Sequence, residues 1–113
     1  MARVLICEPH PEVRELLRHA IARLGHEPVL DTVPLQDVEA IVLEPADPAS
    51  MERAQAFRAF GHDVPLVCAS IEPPNGGTRS LAPVAFLVKP FALPDLESAI
   101  EQALSSRPVL REA

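Results

Sequence analysis

The chain has 113 residues, of which 48% are hydrophobic and 23% charged, and its formal net charge is −6. That is enough for one domain with a buried core and too little for two. The acidic balance, without a Lys/Arg cluster, excludes a nucleic-acid surface, and no apolar stretch approaches the roughly 20 residues of a membrane span.

The first apolar run, Val4-Leu5-Ile6-Cys7, leads into Glu8. It begins almost at the N-terminus with no signal-peptide pattern, so a cytoplasmic location is expected. After His10-Pro11, the residues Val13, Leu16, Leu17, Ala20, Ile21 and Leu24 form one apolar stripe at helical spacing. Pro11 suits the first helical position and Gly25 a left-handed stop. A second strand, Pro28-Val29-Leu30, ends near Asp31. The stretch from Asp31 to Glu39 contains Pro34 and is too short for an ordinary crossover helix.

The third run, Ala40-Ile41-Val42-Leu43, leads into Glu44, and Pro45-Ala46-Asp47-Pro48 then offers a cap and a proline for a helix. That helix is expected over Ala49 to Phe60, burying Met51, Ala54, Phe57 and Phe60 and ending at Gly61. The fourth run, Leu66-Val67-Cys68-Ala69, leads into Ser70. Two prolines and two glycines between Ile71 and Thr78 then predict a loop, with at most a turn near Ser80 and Leu81. The fifth run, Ala85-Phe86-Leu87-Val88, leads into Lys89-Pro90-Phe91. Pro94 starts a last helix whose Leu96, Ala99, Ile100, Ala103 and Leu104 face the core. Residues 1–105 read as the domain and 106–113, with Pro108, as a frayed tail.

Continuous apolar strands alternating with helices predict an α/β sandwich, a doubly wound parallel sheet buried on both faces. Five strands fit the flavodoxin-like order 2-1-3-4-5. In such a sheet the strand ends of one sense share an edge, where sites are placed. Glu8, Glu44, Ser70 and Lys89 would therefore converge. Cys7 and Cys68 would sit on strands separated by a third. With no CxxC and no Cys/His ligand spacing, they read as small reduced core residues.

The chain resembles the receiver domain of bacterial two-component response regulators over nearly its whole length. The resemblance rests on the opening from Arg3 to Leu17, on Val64-Pro65-Leu66-Val67-Cys68-Ala69-Ser70, and on Phe86-Leu87-Val88-Lys89-Pro90-Phe91. It implies a phosphorelay domain that phosphorylates its own aspartate, with two acidic residues holding Mg2+ and a lysine binding the phosphoryl group. By position, Glu44 is the phosphoacceptor equivalent, Glu8 and Pro9 the acidic pair, Lys89 and Ser70 the phosphate pocket and Phe86 the switch aromatic. The resemblance also suggests a cis Lys89-Pro90 bond. The second and fourth helices of the pattern read as shortened or missing, leaving sheet surface to be covered by Val33, Leu35, Ile71 and Leu81 or by a partner.

Three departures point to a pseudo-receiver. Pro9 offers no carboxylate, each glutamate is one methylene longer than aspartate, and the fourth helix is disrupted. The extra methylene moves a carboxylate by about 1.5 Å, which spoils an in-line attack. Attraction between Glu44 and Lys89 competes with that chemistry and is worth about 4 kcal/mol at 4 Å before desolvation. The pair is either a plain salt bridge or a signalling state locked by charge. The expectation is a stand-alone, atypical receiver-like domain. It is not an enzyme, needs no cofactor and acts in signal transduction through a protein partner or a homodimer, without nucleic acid or membrane. The alternative is a working phosphoacceptor with a divalent metal, Mg2+ or another, at Glu8 and Glu44. His10 would be a further ligand for Zn2+ or Mn2+, or else an exposed residue before a helix. A small-molecule sensor with residues 71–83 as a lid is a third reading. No nucleophile elbow surrounds Ser70, and no Gly-rich phosphate loop is present.

Overall fold

The five apolar runs are the five strands of one parallel sheet. The computed structural model describes residues 2–30, 38–59 and 63–105. In chain order the elements are β1 (Arg3–Cys7), α1 (Pro11–Arg23), β2 (Glu27–Val29), β3 (Ala40–Leu43), α2 (Pro48–Ala59), β4 (Leu66–Ser70), α3 (Gly76–Ser80), β5 (Ala85–Val88) and α4 (Leu93–Ser105). The strand order is β2-β1-β3-β4-β5, every pair parallel. This is the expected flavodoxin-like α/β architecture.

Alternation along each strand divides the core in two. Val4, Ile6, Val42 and Val67 face one side, where α1 contributes Leu17, Ala20 and Ile21 and α4 contributes Leu96, Ala99, Ile100 and Ala103. Leu5, Cys7, Ile41, Leu43, Leu66 and Cys68 face the other, against Ala54 of α2 and Leu81. Each fully buried leucine, isoleucine or valine is worth about 1.5–3 kcal/mol. Cys7 and Cys68 form no disulfide and lie in the second core, with β3 between their strands.

Helix boundaries follow local chemistry. Pro11 opens α1, and Gly25 at φ 88° turns the chain beyond it, in the left-handed region that glycine adopts without strain. Asp47 opens α2, its carboxylate accepting from the Ser50 N–H at 3.0 Å and the Ser50 hydroxyl at 2.8 Å. Arg58, near the end of that helix, donates to the carbonyls of Leu81 at 3.0 Å and Val64 at 2.9 Å. Among the described residues, no helix is long and apolar enough to cross a membrane.

Several expectations are corrected. The segment read as a loop contains α3, a helix of five residues, because the Asn75 side chain caps it and outweighs the two glycines. The fourth helix of the pattern is thus shortened, not lost. Leu81 folds into the second core at 1% exposure, but Ile71 does not cover the sheet and stands 72% exposed. Leu16 leaves the core stripe of α1 at 43% exposure. Met51 and Phe57 are only half-buried against the second core. Val33, Leu35, Phe60, Gly61, most of the stretch from Asp31 to Glu39 and the tail 106–113 lie outside the described residues.

Candidate functional site

The backbone ladder carries the site residues to the carboxyl edge of the sheet. Glu44 N–H donates to the Cys7 carbonyl at 3.0 Å, and Lys89 N–H donates to the Ser70 carbonyl at 2.8 Å. These bonds place Glu44 beside the end of β1 and Lys89 beside the end of β4. The cis Lys89-Pro90 bond follows immediately.

Lys89 Nζ donates to Glu8 Oε1 at 2.8 Å and to Glu44 Oε1 at 2.7 Å. The second oxygens are also engaged. Glu44 Oε2 accepts the Ala46 N–H at 2.9 Å, and Glu8 Oε2 accepts the His10 N–H at 3.2 Å and lies 3.0 Å from His10 Nδ1. Both carboxylates are buried, their side chains 1% and 5% exposed, while that of Lys89 is 11% exposed. Such charges are tolerated inside a protein only when paired and hydrogen-bonded.

The electrostatics follow. Burial alone would raise the Glu44 carboxyl, but the Lys89 ammonium, the Ala46 N–H and the Ser70 hydroxyl together hold it below its usual range. Burial alone would lower Lys89, and hydrogen bonds and charge from Glu44 and Glu8 raise it instead. Cys68 is pushed up to about 11 by burial and by the nearby Glu44 charge, which leaves an unreactive thiol.

Of the residues singled out in the sequence, Glu8, Glu44 and Lys89 meet directly. Ser70 is buried at the end of β4 and its hydroxyl accepts the Glu72 N–H at 3.2 Å. Phe86 stands apart, half-buried against the second core. His10 is joined to Glu8, and its ring remains 70% exposed. A carboxylate holding His10 was not anticipated; the signal was the Glu-x-His spacing around Pro9 where the chain turns into α1. The sequence brings Glu8 to the same edge as Lys89 but names an ion pair for Glu44 alone; the direct Glu8–Lys89 bond is seen only in the structure.

The residues do not fit a Mg2+ ion. An ammonium bridges the two carboxylates, Pro9 supplies no ligand, and among the described residues no three His, Cys, Asp or Glu side chains are grouped to hold a metal. Above the triad lies an open cleft of about 560 Å³, lined by His10, Val13, Glu44, Asp47, Ile71 and Lys89 among others.

The sequence matches no protein-family profile and no curated protein sequence. Solved structures match it closely in shape. NtrX from Brucella abortus superposes with a TM-score of 0.81 at 18% identity, over 98% of this chain and 29% of that one. The chemotaxis protein CheY4 of Vibrio cholerae gives 0.77 at 18% identity, covering 92% of this chain and 99% of that one. A response regulator from Thermotoga maritima gives 0.75 at 13% identity, covering 93% and 98%. This chain therefore spans under a third of NtrX but nearly all of the two smaller proteins. At these identities the likeness establishes the fold, and that fold is the receiver-domain fold of response regulators.

Proposed function

We propose that this chain is a receiver-like signalling domain of the two-component type that works without phosphoryl transfer and acts through contact with another protein. The observation that carries the reading is Lys89 Nζ bound to both Glu8 and Glu44 at 2.8 and 2.7 Å. The lysine that would receive a phosphoryl group already holds two carboxylates. Glu44 stands in for that group with one negative charge, where a phosphoryl group on a hydroxyl side chain adds about 1.5 to 2. The conformation is then fixed by the sequence instead of set by a kinase. The ammonium takes the place of a metal, so neither Mg2+ nor any other cofactor enters, and the domain is not an enzyme. The competing reading, a phosphoacceptor Glu44 with a divalent ion on Glu8 and Glu44, requires Lys89 to leave both carboxylates.

The test is a thermal-shift and NMR titration with Mg2+, followed by beryllofluoride, a phosphoryl mimic. The expected result is no stabilisation and no shifts at Glu44, Ser70 or Lys89 at millimolar metal. Mg2+-dependent stabilisation by beryllofluoride, with shifts at those three residues, would establish a live phosphorylation site and overturn the proposal.

A further inference from the structure

Asn75 is the single asparagine of the chain and is followed directly by Gly76-Gly77. All three residues are exposed. The fold does not call for glycine at position 76. Among the described glycines only Gly25 has a positive φ, and a Cβ added at Gly76 would meet nothing within 4 Å. Glycine there costs about 1 kcal/mol relative to alanine in a helix, and neither backbone strain nor crowding is relieved in return. A Cβ on Gly77 would instead stand 3.4 Å from Asn75 Oδ1. That second glycine keeps room around the asparagine amide.

The missing side chain at position 76 bares the one backbone nitrogen that can close a five-membered ring on Asn75 Cγ. Gly76 is the first residue of α3, and first-turn N–H groups have no acceptor within their own helix. The helix ladder therefore does not hold this nucleophile. The carbonyl it would attack is polarised as well. Asn75 Oδ1 accepts the Thr78 N–H at 3.0 Å and the Thr78 hydroxyl at 3.2 Å. Two donors on that oxygen stabilise the charge that develops there as nitrogen attacks. Both reactants belong to adjacent residues, so no bimolecular encounter is needed.

We propose that Asn75 is a self-modification site, converting in the folded chain to aspartate and isoaspartate, and that the isoaspartate form releases α3. The Gly76 nitrogen gives up its proton and bonds to Asn75 Cγ. The Cγ–Nδ2 bond breaks, and the amide nitrogen leaves as ammonia. Water then opens the succinimide at either carbonyl, with no change of oxidation state. Opening at Cγ gives aspartate, which keeps the acceptor that caps Thr78. Opening at the main-chain carbonyl gives isoaspartate. The backbone then runs through Cβ and Cγ, one methylene longer, and a carboxylate on Cα replaces the capping side chain. A five-residue helix that begins with two glycines opens locally once its cap is lost.

The test ages the full folded chain in mildly alkaline buffer, beside the same chain in urea, and follows the tryptic peptide containing residue 75 by mass. The folded chain should gain one mass unit in that peptide. Two products should separate by chromatography, one of them a substrate for isoaspartyl methyltransferase. Gly76→Ala enters open space and favours the helix, so it should slow the gain several-fold without lowering the thermal midpoint. Amide exchange at Thr78 to Leu81 should be several-fold faster in the isolated isoaspartate form than in the aspartate form. A folded chain that gains no mass while the chain in urea converts would mean that the cap protects the amide, and would overturn the proposal. Equal rates in the parent chain and Gly76→Ala would overturn it too. Equal exchange in the two products would overturn the release of α3.

Discussion

Lys89 and Glu44 are 45 residues apart in the chain, yet Nζ and Oε1 are 2.7 Å apart at the edge of the sheet. Glu8, 81 residues from Lys89, holds the same ammonium at 2.8 Å. Desolvation of three charges opposes this cluster, and Coulomb attraction with a hydrogen bond to each of the four carboxylate oxygens offsets it. Its components are therefore unequal: loss of the cation leaves two buried carboxylates, while loss of one carboxylate leaves a paired lysine.

Lys89→Met should consequently be the most damaging change in the site. Leaving buried charges without their partner costs about 3–5 kcal/mol, to be read by urea unfolding at pH 7. Without Lys89, burial and mutual repulsion raise the carboxyl values. A raised carboxyl contributes stability below its unfolded value and loses it as pH rises. The variant should therefore become more stable from pH 7 to pH 5, a range over which the parent chain is level. A flat profile would mean that the carboxylates find solvent once the lysine is gone.

In the parent chain the signs are reversed. Glu44 is lowered from its usual 4.5, so its contribution is present above that value and is lost as pH falls through the lower folded one. Lys89 is raised from its usual 10.5, so its contribution is present below that value and is lost as pH rises through the higher folded one. A plateau is expected between these limits. Glu44→Gln should lower the plateau by about 2 kcal/mol, the worth of a hydrogen bond to a charged group, and flatten the acid limb. An unchanged acid limb would assign acid sensitivity to other carboxylates.

The strands were legible because a sheet buried on both faces demands unbroken apolar runs, and Val4 to Cys7 or Ala40 to Leu43 can serve few other purposes. The meeting of Glu44 with Lys89 followed from strand order. The contact of Glu8 with the same ammonium did not, since it depends on how far two side chains extend beyond their strands. Leu16 and Ile71 show a different limit. Periodicity marks which residues are apolar, but a stripe six residues long is wider than the contact between α1 and α4, and its edge is left in solvent.

Restoring the residues that the receiver pattern expects should restore cation binding. Pro9→Asp with Glu44→Asp adds one carboxylate and withdraws the other by about 1.5 Å, too far to keep the Lys89 contact short. The double variant should show a larger Mg2+-dependent rise in thermal midpoint at millimolar metal than the parent chain. Pro9→Asp alone should gain little, because the ammonium remains between Glu8 and Glu44. Equal responses would mean that the missing ligand, and not the lysine, keeps metal out.

Asn75→Ala tests why α3 exists. The helix begins with Gly76-Gly77, each costing about 1 kcal/mol relative to alanine in a helix. It is held by Asn75 Oδ1, which accepts the Thr78 N–H at 3.0 Å and the Thr78 hydroxyl at 3.2 Å, and by the burial of Thr78 and Leu81. Loss of a cap of this kind costs about 1 kcal/mol. Because α3 is one short unit at the rim of the second core, the cost should appear as local opening. Amide exchange at Thr78 to Leu81 should quicken about fivefold while β3 and β4 keep their protection, and Asn75→Asp, which retains the acceptor, should restore it. If exchange rises equally in the strands, α3 is part of the global folding unit and Leu81, not the cap, holds it in place.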